Sequence, residues 1–275
     1  MRFFASTRTA LLMSAVFFSS CDQSKQPLAV EPLRVVELAA SAPESTTTTA
    51  VDADAAAHAL IDVNLYGSCE PGDGGSGKTY MGREIAEVMG HFGVSWLERP
   101  EREREERTDL LIDAMELKTT DAVADIGAGS GYFSMRIAPR VAEGVVYATD
   151  IQQEMLDIIT ERALEENAHN VMPILGTIEH CGLDANSVDV VLFVDAYHEF
   201  DHPREMMRSI VKALKPNGRV VLVEFRAEDP EVHIRARHKM TQEQAILEME
   251  AVGLQFVDNN PVLPQQHILT FLRAK

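Results

Sequence analysis

An apolar run from Ala122 to Ile126 passes directly into Gly127, Gly129 and Gly131, and this junction constrains the chain more than any other feature. A short apolar run closed by glycine reads as a buried strand. Glycine permits positive φ in a tight turn and lets a ligand approach the backbone. The helix predicted over 132–141 then offers unpaired N–H groups at its start. A dinucleotide fingerprint spaces its glycines G-x-G-x-x-G. Here the spacing is G-x-G-x-G, Tyr132 follows, and Asp125 precedes the loop, so dinucleotide binding is the poorer fit. Asp150 stands nineteen residues past Gly131, at the end of a second predicted strand, 145–149. A carboxylate there can accept from both hydroxyls of a ribose.

The rest of the chain keeps alternating. The pattern predicts a helix over 151–167, strands over 171–175 and 188–194, a helix over 203–214, a turn at 215–218 and a strand over 219–225. Thr241 is a candidate N-cap for a helix to 252 that Gly253 ends, and 254–257 with 267–272 form a closing pair of strands. Such alternation implies a mostly parallel sheet with helices on both faces, whose ligands sit at the carboxyl ends of the strands. Ahead of this core, Met81, Ile85, Val88 and Met89 have helical spacing, predicting a helix over 79–90. Pro100 suits a first helical turn, and the Glu/Arg run behind it predicts i,i+4 pairs on a solvated face.

The string D-x-G-x-G-x-G from Asp125, the strand-end Asp150, and the segments 193–200 (FVDAYHEF), 214–225 (LKPNGRVVLVEF) and 263–273 (LPQQHILTFLR) together resemble the class I S-adenosylmethionine (SAM)-dependent methyltransferases over about residues 105–275. The resemblance implies an α/β, Rossmann-like, doubly wound fold. It has a mostly parallel seven-stranded sheet with helices on both faces, plus N-terminal cap helices. It implies SAM as cofactor, with Asp125, Gly127, Gly129 and Gly131 at the methionine end and Asp150, followed by Ile151, at the ribose. The loop after the third strand would frame the adenine through Thr177 and Ile178; many members carry an acid where Thr177 stands. The end of the fourth strand is where this fold places its methyl acceptor, expected to be a small molecule.

His198 falls at that strand end. It titrates in the range useful to a general base, with a structural histidine as the even alternative. Asp195 or Glu199 would orient it or hold the cofactor's amino group, and Glu199 is grouped with His198 as catalytic. Two literal motif matches are set aside. Residues 72–79 satisfy G-x-x-x-x-G-K-[ST], but no buried strand leads directly into them, as a phosphate-binding loop requires. His198 and His202 satisfy H-E-x-x-H, but Pro203 puts His202 outside the following helix, so the pair need not share a face. No metal site is expected.

The formal net charge is −18, with no basic patch to offset it, so nucleic acid is an unsuitable partner. Residues 1–21 carry Arg2 and Arg8, then a short apolar core, then Ser19-Ser20-Cys21. This resembles a bacterial lipoprotein signal, with Cys21 acylated after cleavage. It implies an exported protein on the periplasmic side, touching the membrane only through its lipid, or a cytoplasmic one if the signal is not functional. Residues 22–78 read as a flexible tether and glycine-rich loop, and 79–275 as the catalytic domain. Because SAM is made in the cytoplasm, two other readings stay open: an exported, non-catalytic ligand-binding module on the same fold, and a P-loop-type nucleotide hydrolase.

Overall fold

The structure, a computed structural model, describes residues 65–274. The signal-type segment, Cys21 and the tether up to residue 64 lie outside the described residues.

The core is one sheet. Strands β4 (Ala122–Ile126), β5 (Val145–Asp150), β6 (Val171–Leu175), β7 (Val188–Val194), β8 (Leu214–Arg226), β10 (Leu254–Asn259) and β11 (Gln266–Arg273) lie in the order β10-β11-β8-β7-β4-β5-β6. The two-residue β9 (Lys239–Met240) pairs with β8 beside this path. Strands β4 to β8 pair in parallel, and β11 runs antiparallel to both β8 and β10. Side chains alternate across a strand, so each buried strand feeds two cores. Val123, Val190, Leu192, Val221 and Val223 face α3 (Thr108–Ala114), α4 (Tyr132–Ile137) and α5 (Gln153–Glu165). Ala124, Val191, Phe193, Val220 and Leu222 face α6 (Pro203–Ala213) and α7 (Gln242–Glu250). Continuous apolar runs are what a sheet buried on both faces needs. Thr241 caps α7 as expected, its Oγ1 accepting from the Gln244 N–H at 3.0 Å.

Four local expectations are corrected. Residues 79–90 are not a helix. They supply β2 (Gly75–Tyr80) and β3 (Arg83–Ala86), which with β1 (Tyr66–Ser68) make a small antiparallel sheet. Met81 and Gly82 have φ of 48° and 90°, the pair of left-handed residues a two-residue hairpin turn demands. The few apolar residues that suggested a helix also fit strands, and Tyr80, Ile85 and Ala86 are buried. The domain boundary expected at 78/79 therefore falls inside β2. Second, the Glu/Arg run forms only α2 (Arg102–Glu106), preceded by the one-turn α1 (Val94–Leu97) and stopped by Arg107 at φ 54°. Its i,i+4 pair points inward: Arg102 Nε donates to Glu106 Oε2 at 3.0 Å, both residues are buried, and the guanidinium lies 4.3 Å from the Tyr132 ring centre. Third, α4 ends at Ile137 rather than 141. Fourth, 215–218 is a bulge in β8, where the register against β7 jumps from Val188↔Leu214 to Val190↔Arg219.

Candidate active site

Strands β4, β5 and β7 all end at one cleft of about 1000 Å³, its open mouth included, and the carboxylates Asp125, Asp150 and Asp195 stand in its wall. The turn after β4 is held by Gly127 and Ala128, whose N–H groups both donate to the Thr149 carbonyl of β5. Gly127, Gly129 and Gly131 have φ of 69°, 55° and 76°, a region that side chains rarely adopt. Space is closed as well: a Cβ at Gly131 would meet Ile159 of α5 at 2.9 Å, and one at Gly129 would meet Leu97 at 2.7 Å. The turn thus favours glycine at all three positions, and packing adds to this at Gly131, whereas the Leu97 methyl beside Gly129 is the end of a flexible side chain.

Each carboxylate is fixed differently. Asp125 accepts from Ser134 Oγ at 2.6 Å, and its burial pushes its pKa up to about 6 against that hydrogen bond. Asp150 accepts from Gly129 N–H at 3.0 Å and from Gln152 N–H at 2.9 Å; burial raises its pKa, with these bonds opposing. With a further bond from the Ile151 N–H, the carboxylate still keeps acceptor capacity for a ligand hydroxyl. Asp195 sits at φ 51° and accepts from Gln266 Nε2 at 3.1 Å through Oδ2. Its Oδ1 is buried without a hydrogen-bond partner. Burial, then the Glu106 and Glu224 carboxylates, hold Asp195 well above the usual carboxylate range. A strained backbone and an unsatisfied buried acceptor at a cleft wall both fit a residue awaiting a cationic ligand group.

The two expected adenine contacts divide. Ile178 lines the cleft as an exposed apolar side chain, as do Ile151 beside Asp150 and Val88 from the segment after β3. Thr177 is not among the cleft-lining residues. Its Oγ1 accepts from the Glu179 and His180 N–H groups, so it shapes the turn that presents Ile178.

A second cleft adjoins the first, and Met89, Leu97, Arg102, Asp195 and Glu199 wall both. His198 borders it but is itself buried. Its Nδ1 lies 2.6 Å from Glu224 Oε2 and its Nε2 lies 3.0 Å from His238 Nδ1, so neither ring nitrogen is free for an acceptor. Burial alone would lower its pKa, but the Glu224 carboxylate outweighs that and leaves it raised. His238 is lowered, by burial first and the His198 ring next. Glu199 accepts from the Met89 N–H at 3.1 Å, and burial raises its pKa. His202 stands apart, its Nδ1 2.9 Å from Asp201 Oδ2. It precedes α6 as Pro203 implied, so the two histidines of the literal zinc motif do not converge.

The phosphate-loop match meets a structural obstacle. Glu84 of β3 takes the N–H groups of Gly72 (3.0 Å) and Gly77 (3.2 Å) on Oε1 and pairs with Arg237. The loop's amides are thus turned onto a carboxylate of the chain itself, and its hairpin has no buried strand leading into it.

Sequence reasoning passed over Glu224, His238, Arg102 and Gln266. Glu224 left a trace, as a lone charge inside the apolar run 220–225. His238 left none, because 227–238 has no period that places it in space.

Residues 123–218 match the family model described as a methyltransferase domain. An uncharacterised methyltransferase of Bacillus subtilis is 33% identical over 122 residues, 44% of this chain and 47% of that protein. A ubiquinone/menaquinone biosynthesis C-methyltransferase of Neisseria meningitidis is 31% identical over 118 residues, 42% of this chain and 47% of that one. The chain thus spans under half the length of these relatives. A solved SAM-dependent methyltransferase from Aquifex aeolicus superposes with a TM-score of 0.63 at 19% identity, covering 67% of this chain and 98% of that one, which shows a shared fold. The family match and the named relatives agree on a methyltransferase domain in this part of the chain.

Proposed function

We propose that the whole protein transfers a methyl group from SAM to a small-molecule acceptor bound in the second cleft. The observation that carries this reading is the junction of the two clefts at Asp195, whose buried Oδ1 has no partner. When bound, SAM supplies a methyl group on a sulfonium. The residues present suit it: Asp195 Oδ1 for the amino group, Asp150 for the ribose hydroxyls, Ile151 and Ile178 as apolar walls for the adenine, and the glycine loop for close backbone approach. Asp125 serves mainly through Ser134, fixing the start of α4.

What the chain contributes to the reaction is alignment and exclusion of water. Holding two reactants in line is worth about 7–11 kcal/mol. Met89 and Leu97, common to both clefts, would close the path between donor and acceptor to solvent. An acceptor hydroxyl or amine must also give up a proton. His198, buried and bonded at both ring nitrogens, does not meet the acceptor itself, and the more exposed His238 and Glu199 beside it border the acceptor cleft. The test is to incubate the full chain with methyl-labelled SAM and the small-molecule fraction of the cells that make it. Label should move to a compound of low mass. Label found only on macromolecules, or retained wholly in SAM, would overturn the reading.

A further inference from the structure

We infer that His198 Nε2, His238 Nδ1 and Glu199 Oε1 together hold one divalent transition-metal ion, in the second cleft where Glu199 borders the SAM cleft. This inference stands on its own geometry and does not rest on the methyl-transfer reading. The three atoms are mutually close: 3.0 Å between the two nitrogens, 3.6 Å from His238 Nδ1 to Glu199 Oε1 and 3.9 Å from His198 Nε2 to Glu199 Oε1. A point equidistant from three atoms so spaced lies about 2.05 Å from each, within the roughly 2.0–2.2 Å of zinc bonds to imidazole nitrogen and carboxylate oxygen.

Two of the ligands are held from behind. Glu224 Oε2 lies 2.6 Å from His198 Nδ1 and accepts its proton bond, which fixes the tautomer and leaves the Nε2 lone pair directed at the cluster. Glu224 Oε1 also accepts the His198 backbone N–H at 3.1 Å, so the ring and its own backbone are held by one carboxylate. Glu199 is anchored by the Met89 N–H on Oε2, which leaves Oε1 toward the two rings. Glu224 belongs to β8 and the His198–Glu199 turn follows β7, two adjacent strands, so the support is part of the sheet.

The donor set matches its chemistry to a class of ion. Two imidazoles and one carboxylate with an open position suit zinc in a catalytic setting or a ferrous-type ion, and suit magnesium or calcium poorly. All three ligands border the second cleft, so the open coordination position has access to water or to an acceptor oxygen or nitrogen. Binding would need the His238 proton on Nε2 instead of Nδ1, the neutral tautomer in which both facing nitrogens present a lone pair to the ion. This reverses the expectation, drawn from H-E-x-x-H, that the region binds no metal: the second histidine comes from residue 238 and not from His202.

The test uses the purified full chain, stripped with chelator, dialysed and titrated calorimetrically with Zn²⁺, with elemental analysis of the untreated protein. Wild type should bind one equivalent at a saturable site. His238→Ala and Glu199→Gln should each weaken that binding at least tenfold, and Glu224→Gln, which holds His198 by its ring and its backbone N–H, by about 10–100-fold. His202→Ala should change nothing. Cobalt(II) should give a visible absorption band that His238→Ala abolishes. Far-UV circular dichroism of each variant, with a SAM titration of His238→Ala, separates loss of the site from loss of the fold. Zinc affinity that is equal in wild type and His238→Ala, or that falls equally in His202→Ala, overturns the inference. SAM binding retained without zinc binding also overturns it, and leaves the methyl-transfer reading intact.

Discussion

Asp125 stands in the cleft wall and is at the same time a buried carboxylate of the core. Its place before the first glycine marked it as a site residue. In the structure its Oδ2 accepts from Ser134 Oγ, with Arg102 and Asp150 as nearby charges. Burial raises its pKa to about 6, so the folded protein holds this proton more tightly than the unfolded chain does. The sign follows from linkage: stability falls as pH rises from the ordinary carboxylate value through about 6, and no further above it. Asp125→Asn keeps an oxygen for Ser134 and removes the titration. Between pH 4 and pH 7 the unfolding free energy of the variant should gain on wild type by up to about 3 kcal/mol, two pKa units' worth. Urea unfolding of both proteins at several pH values measures the difference; one that stays flat with pH contradicts the burial account.

At the scale of elements, the parallel core was legible and the N-terminal addition was not. β4, β5, β6 and β7 fall close to their expected positions because a strand buried on both faces must be an unbroken apolar run, a signal that needs no knowledge of partners. The β2–β3 hairpin carries no such signal. Its buried apolar side chains are Tyr80, Ile85 and Ala86, too few to distinguish period 2 from period 3.6, and its turn is declared only by Gly82. What holds the hairpin is distant in sequence. Arg83 reaches Glu248 of α7 through two hydrogen bonds, at 2.7 and 2.9 Å, and donates to the His198 carbonyl at 3.1 Å. Glu248 is fully buried, so Arg83→Ala would leave a charge uncompensated in the interior. The expected cost is about 3–5 kcal/mol, read as a lower urea midpoint with the slope unchanged. A loss under about 1 kcal/mol would mean that the pair does not tie the hairpin to the sheet. The same limit hid the second cleft: β7 could be placed from sequence, but which side chains of β8 and the 227–238 segment meet His198 depends on packing alone.

For the whole molecule, the central claim is that the glycine loop after β4, the end of β5 and the end of β7 form one SAM site. Calorimetric titration of the full chain with SAM tests it most directly, with Asp150→Ala alongside and ATP as the competing ligand. Asp150 can offer two charge-assisted bonds to a ribose, each worth about 1.5–3 kcal/mol, and it also steadies Gly129. Wild type should bind one equivalent of SAM and no ATP, and Asp150→Ala, its fold verified by circular dichroism, should bind SAM at least tenfold more weakly. Unchanged SAM affinity in Asp150→Ala, or a wild type that takes ATP in preference to SAM, would contradict the account.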